Sequence, residues 1–391
     1  MKQIKSKVSQ IIMLIMVQVF FFACERDEPD FSPPASDRRT VLVYLGTDNN
    51  FRAEAAQKTE QLKSGWDATF DGNLLVYADT GDRPVLIHIY SHPQRGSIAD
   101  TVETYPPGNS ASPATLTRVL NRVREYRPAA SYGLVVLSHA TGWLPAGMSE
   151  PAPVLKSVIL DKGAGETDSY MELADFAAAI PCRLDFMIFD ACFMGSVEVA
   201  CELKDKTDYL VASPAEVLSP GFVYSTMMRH LFRPEADLAA VAKDFYDYGN
   251  RQSGLHRSAT VSVVRTSELE QLKRFCHSAP DAASPGQTDL AGVQTFGYGS
   301  QKIYFDLGDY VQKRSPERYG EFQSALDNCI VYKACTDGYY SAGTGTLQVI
   351  RAFSGLSVYV PQPQYPHANA AYKKLKWAQE TGDVPYYGSL R

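Results

Sequence analysis

The 391-residue chain has few of the signals that usually announce a function. It has no run of Lys or Arg, and its formal charge of −6 with a pI near 5.7 leaves no basic surface for phosphates, which argues against nucleic acid as a partner. No HExxH, zinc-finger spacing, P-loop or EF-hand loop occurs, so motifs call for no metal or nucleotide. There is no internal repeat. Cysteine is sparse, at seven residues. With Cys24 and Cys192 set aside for reasons given below, Cys182, Cys201, Cys276, Cys329 and Cys335 remain, an odd set in which at least one is unpaired. A disulfide framework is therefore not the organising principle, and an extended run between Cys329 and Cys335 would keep even these neighbours apart. Long apolar runs are missing too: the one at the N-terminus is shorter than the ~20 residues a membrane span needs.

What is present is ordinary globular composition, 45% hydrophobic and 21% charged, enough for a sizeable buried core. Lys2, Lys5 and Lys7 precede an apolar run from Ile11 to Phe22 that ends at Ala23-Cys24 before the charged Glu25-Arg26-Asp27-Glu28. This order of positive, apolar and small residues reads as a signal peptide over 1–23. Cys24 directly after the small residue resembles a bacterial lipoprotein box, and the acids after it resemble the export signal of surface lipoproteins in Bacteroides-like bacteria. Both imply a lipid on Cys24 and a place on the outer membrane, facing the cell surface or the periplasm. Residues 24–37 hold Pro29, Pro33 and Pro34 with few apolar side chains and read as a flexible tether.

From residue 38 apolar strands alternate with helical patterns. Thr40 to Leu45, Asn73 to Ala78, Val85 to Tyr90, Gly133 to His139, Leu184 to Phe189, Tyr209 to Ser213 and Ala259 to Val264 read as strands, the first of them followed by an Asp48-Asn49-Asn50 turn. Helices are expected at Pro113 to Tyr126, Tyr170 to Ile180, Gly195 to Leu203, Tyr224 to Leu231 and Leu238 to Tyr248. The alternation predicts an α/β fold, a mostly parallel sheet with helices on both faces. Residues 38–265 form the expected core. Residues 266–391, with helices near Glu268 to His277 and Pro316 to Asp327, a loop at Ser278 to Gly286 and a late strand at Gly355 to Val360, read as a C-terminal subdomain packed on it.

Two of these strands end on reactive residues, His139 and Cys192. In an open parallel sheet such residues share one edge, beyond the carboxyl ends of the strands. A thiol attacks a carbonyl as thiolate, and the expected helix just beyond Cys192 would favour that charge with its N-terminal end. His139 can take the thiol proton and return it to a leaving amine, while the amides of Ala140 and Cys192 can hold the oxyanion, provided the φ at Ala140 is negative. Asp190, two positions before Cys192 and so on the same strand face, and Glu216, just past a neighbouring strand, are candidates to bind a basic side chain. Asp190 also reads as the N-cap of the following helix, and Glu216 as a solvated loop acid.

The string Ser138-His139-x-x-Gly142-Trp143 followed by Asp190-Ala191-Cys192-x-Met194-Gly195-x-x-Glu198 resembles the clostripain family of cysteine peptidases, relatives of caspases, gingipains and legumain. Tyr44 to Asn50, Val211 to Tyr224, Phe305 to Leu307 and Gly355 to Pro361 extend the resemblance over most of residues 38 to 361. It implies a caspase-like sheet, a His139–Cys192 dyad and cleavage of a peptide or protein substrate after Arg or Lys. It departs at Ala140, where the family usually has Gly. Some members need calcium, for which Asp161, Glu166 and Asp168 are available without an assigned site. Self-cleavage, common in the family, would fall at Lys156, Arg251 or Arg257. The alternative reading is a peptidase-like binding lipoprotein that has lost catalysis. Oligomeric state is not legible.

Overall fold

The computed structural model describes residues 38–81, 83–145, 158–163, 168–276, 290–297, 299 and 301–382. The expected leader, the tether with Cys24, the Ser278–Gly286 loop, Lys156 and Glu166 lie outside them.

The chain opens on β1 (Arg39–Gly46), crosses through α1 (Arg52–Gly65) to β2 (Asn73–Asp79), and turns back through β3 (Val85–His92) and β4 (Gly96–Thr104). Helix α2 (Pro113–Tyr126) leads to β5 (Ser131–Leu137), the short pair β6 (Ile159–Asp161) and β7 (Ser169–Met171), α3 (Leu173–Ala179) and β8 (Leu184–Asp190). Next come α4 (Val197–Leu203), β9 (Thr207–Ala212), α5 (Tyr224–Leu231), α6 (Leu238–Asn250) and β10 (Thr260–Arg265). The remainder runs α7 (Leu269–Cys276), β11 (Phe305–Asp306), α8 (Leu307–Arg314), α9 (Tyr319–Cys329), β12 (Ile330–Cys335), β13 (Gly338–Ser341), β14 (Thr346–Val349), β15 (Ser357–Val358), α10 (Pro366–Tyr372) and α11 (Lys376–Thr381).

Nine strands make one sheet in the order β12-β10-β9-β8-β5-β1-β2-β3-β4. The five central strands, from β9 to β2, are parallel, and an antiparallel pair extends each side. The central strands are apolar on both faces because each face carries its own core. Along β1, Val41, Val43 and Leu45 enter one core with α1, α5 and α6, while Leu42 and Tyr44 enter the other with α2, α3 and α4. The second core also takes in side chains of α8 to α11, down to Trp377. Thus the C-terminal part packs on the sheet, and its strand β12 belongs to the sheet itself, paired to β10.

Helix α2 has the predicted bounds, with Leu116, Val119, Leu120 and Val123 buried on one face. Helix α3 starts later than expected, because Ser169–Met171 pairs with β6. The late strand contracts to the two residues of β15. The largest departure is α1, which periodicity did not suggest: its fourteen residues bury only Ala55, Lys58 and Leu62. Cys329 and Cys335 bracket the extended β12, and both are free thiols, as are Cys182, Cys192 and Cys201. No helix among the described residues is long and apolar enough to cross a membrane.

Candidate active site

The site grows from the register of β5 on β8. Leu137 lies opposite Asp190, so two residues further along each chain His139 and Cys192 emerge side by side beyond the carboxyl edge. They line one small cleft together with Phe51, Glu54, Asp190 and Gly221.

The histidine is held by the turn between β1 and α1. Ser138 Oγ donates to Gly46 O (3.0 Å) and accepts from Leu160 N (3.1 Å), pinning the end of β5 to its neighbours. Asn49 donates to Gly46 O and Leu160 O and accepts from Phe51 N, which fixes the next two residues. Asn50 Oδ1 then meets His139 Nε2 at 2.6 Å, and the Phe51 ring stacks on the imidazole at 4.1 Å with 22° between planes. An amide oxygen accepts, so this contact favours the tautomer with the proton on Nε2.

Beyond Cys192 the backbone turns sharply. Phe193 has φ 59°, the one positive φ outside glycine among the described residues, and its N–H donates to Ala215 O (3.0 Å). Ala140 is therefore not left-handed, so Ala in place of Gly carries no backbone strain there. The amides of Ala140 and Cys192 have no hydrogen-bond acceptor among the described residues. Gly142, at φ 67°, lies under this turn: a Cβ there would come within 2.5 Å of Phe193 O. Trp143 packs on Tyr359 at 4.8 Å and is buried with the core.

The thiol of Cys192 accepts the N–H of Val217 (3.3 Å) and lies 3.8 Å from the Val217 carbonyl. Burial pushes its pKa up to about 12; the Val217 amide opposes this, and the Glu216 and Asp190 charges add to it. The expected help from a helix N-terminus does not arrive. Helix α4 starts at Val197, five residues after the cysteine, and its first turn is capped by Ser196, whose Oγ accepts from Val199 N. Asp190 is thus not that cap.

Asp190 turns inward rather than to a ligand. Its side chain is 1% exposed and lies 3.8 Å from Lys58 Nζ, which is 0% exposed. The ammonium also donates to the carbonyls of Pro220 and Phe222 and stands over the Tyr224 ring at 4.2 Å. Burial raises the Asp190 pKa, and Lys58, Tyr224 and the Phe222 amide pull it back. Glu216 is buried as well. Its Oε1 accepts from Ala342 N (2.9 Å), and burial lifts its pKa to about 7. It is neither solvated nor a wall of the cleft. The structure thus brings His139, Cys192 and Asp190 together and turns Glu216 towards the β13–β14 turn.

The acids considered for calcium do not converge. Asp161 is buried and accepts from Ser110 and Gly163, while Asp168 accepts from the Tyr170 hydroxyl. Among the described residues no group of three His, Cys, Asp or Glu is arranged to hold a metal ion.

Residues 43–352 match the family model described as the clostripain family. The chain belongs to the clostripain family. Its backbone is similar to an inactive zymogen C11 protease from Parabacteroides distasonis, at 32% identity and a TM-score of 0.76 over 89% of this chain and 99% of that one. It is also similar to a secreted C11 cysteine protease from Bacteroides thetaiotaomicron bound to an irreversible peptide inhibitor, at 27% identity and a TM-score of 0.78 over 88% and 98%. Clostripain of Hathewaya histolytica is 27% identical over 218 residues, 47% of this chain but 40% of the relative. The chain thus matches less than half the length of that curated relative. Within the family fold, the groups that sequence reasoning missed are Asn50, Phe51, Glu54 and Lys58, all on or next to α1. A signal was there: Ala55, Lys58 and Leu62 are spaced i, i+3, i+7, an apolar stripe with a lysine at its centre.

Proposed function

We propose that this clostripain-family chain is an endopeptidase that cleaves after a basic residue, with Cys192 as nucleophile and His139 as its base. The observation that carries the reading is the β5–β8 register, which sets His139 and Cys192 side by side in one cleft, with Asn50 Oδ1 against His139 Nε2. A thiol held near 12 does not ionise alone at neutral pH, so its proton passes to His139 as the substrate carbonyl arrives. The thiolate adds to the carbonyl carbon, and the amides of Ala140 and Cys192 take the oxyanion. The imidazolium then protonates the leaving amine as the C–N bond breaks, and water hydrolyses the thioester with His139 as base. The Glu54 carboxylate in the cleft wall supports a cationic substrate side chain.

A second reading, a binding module without catalysis, is favoured by the raised thiol and its bonds to Val217. One experiment separates the two: fluorogenic Arg, Lys and Asp peptides incubated with residues 25–391, as wild type and as Cys192→Ala. Turnover after Arg or Lys that disappears in the variant is expected. Wild-type turnover no greater than the variant's, together with no labelling of Cys192 by a peptidyl-lysyl chloromethylketone, would establish the binding module. We also infer from the Ala23-Cys24 junction that the mature protein is tethered to the membrane through a lipid on Cys24.

A further inference from the structure

The substrate-selecting group of this cleft, given the peptidase reading above, can be found by asking which carboxylate still has charge to offer. Three lie near Cys192. Asp190 forms the floor, but its charge is matched at 3.8 Å by the ammonium of Lys58, and both side chains are sealed from water. Lys58 is itself anchored by two carbonyls of the 217–222 segment, and a Cβ on Gly221 would collide with the Asp190 carboxylate, so backbone covers that group from the cleft side. A buried pair closed in this way presents almost no net charge to an arriving side chain. Glu216 spends its Oε1 on Ala342 N and faces away from the cleft. Glu54 is different. It lies in the first turn of α1, is half-buried, and shares the cleft wall with His139 and Cys192. Its carboxylate has no hydrogen bond or ion pair among the described residues, and its charge reaches the floor, where it raises the Asp190 pKa.

We propose that Glu54 is the specificity-determining carboxylate of this enzyme, binding the ammonium or guanidinium of the substrate residue on the acyl side of the scissile bond above a neutral Lys58–Asp190 floor. An unpartnered carboxylate in a partly dry cleft gains most from a cation that brings its own N–H donors. A helical site keeps its position in the absence of substrate.

The test compares wild type with Glu54→Gln, Glu54→Lys and Asp190→Asn on matched peptides ending in Lys, Arg, norleucine or Asp. Glu54→Gln is expected to lower the kcat/KM ratio of Lys or Arg over norleucine by about tenfold to a hundredfold, mainly through KM, the size of one charge-assisted hydrogen bond. Glu54→Lys should move the preference towards Asp. Circular dichroism establishes that each variant is folded. An unchanged ratio in Glu54→Gln, with the ratio collapsing in a folded Asp190→Asn, would overturn the assignment. If wild type turns over no peptide, the peptidase reading fails rather than this one. Calorimetric binding of the Lys-terminated peptide to Cys192→Ala, with and without Glu54→Gln, then decides Glu54 separately: equal affinities refute it, and a tenfold or greater loss supports it.

Discussion

Replacing Lys58 by Met should be among the most damaging single changes on the surface of α1 that faces the sheet. Methionine matches the aliphatic stem of lysine but removes the ammonium, leaving Asp190 unpaired at 1% exposure and the carbonyls of Pro220 and Phe222 without their donor. Removing one partner of a buried pair costs about 3–5 kcal/mol, a large part of the ~5–15 kcal/mol that holds a domain folded. The loss must depend on pH with a definite sign. Burial already raises the Asp190 pKa and Lys58 is the main influence lowering it, so without Lys58 the folded value rises further. A carboxyl raised in the folded state gives its full stability below its unfolded pKa, and that stability drains away as pH rises through the folded pKa. The Lys58→Met penalty should therefore be smaller at pH 5 than at pH 8. Adding Asp190→Asn removes the stranded charge and should restore about 2 kcal/mol of the loss at pH 8, since buried pairs replaced as a unit are close to neutral. Guanidinium denaturation of wild type, both single variants and the double variant at the two pH values measures all of this. A penalty below about 1 kcal/mol at pH 8, or a double variant no more stable than Lys58→Met, would refute the buried-pair argument.

Other expectations follow from the same geometry. With its thiol pushed up to about 12, Cys192 of the substrate-free protein should react with iodoacetamide at a rate still climbing at pH 10, and a plateau below pH 8 would contradict that. Glu216, raised from 4.5 to about 7, contributes stability below about pH 4.5 that is lost as pH climbs through 7. Glu216→Gln should flatten that part of the stability profile, whose full depth is about 3 kcal/mol, and a profile identical to wild type would count against it. Asn50→Ala removes the acceptor for Nε2 and should lower kcat about tenfold with KM little changed, as steady-state kinetics would report; a kcat within twofold of wild type would mean another group orients the ring. Gly142→Ala meets both a positive φ and the Phe193 carbonyl, and should lose about 1–3 kcal/mol by thermal or chemical melting, whereas wild-type stability would show that the loop relaxes freely.

The parts of this fold that announced themselves in sequence were those made by apolar periodicity. The central strands and α2 appeared because each buries a whole run or a clean stripe. β4 stayed hidden because it is an edge strand without a fully buried position, and α1 because its buried stripe is three residues long with a lysine at its centre. The site divided along the same line. His139 and Cys192 were visible as endings of apolar strands, whereas Asn50 and Phe51, which hold the histidine, sit in the turn before the polar helix α1, and Glu54 and Lys58 sit on it. Asp190 was noticed for its spacing, but spacing in one strand says nothing about a lysine arriving from 132 positions earlier in the chain. The expected electrostatic help from α4 failed for a local reason, the three-residue turn from Phe193 to Gly195 that carries the chain away from the sulfur before the helix begins.

The pairing of β12 with β10 bears on how the molecule would respond to a protease. A single cut between Cys276 and Leu290 would separate the chain into two pieces by covalent connection only, because the second piece keeps a strand in the sheet of the first and fills the core beneath it with the side chains of α8 to α11. Such a nicked protein would run as two bands under denaturing conditions and as one particle on a sizing column, with the His139–Cys192 cleft carried wholly by the first piece.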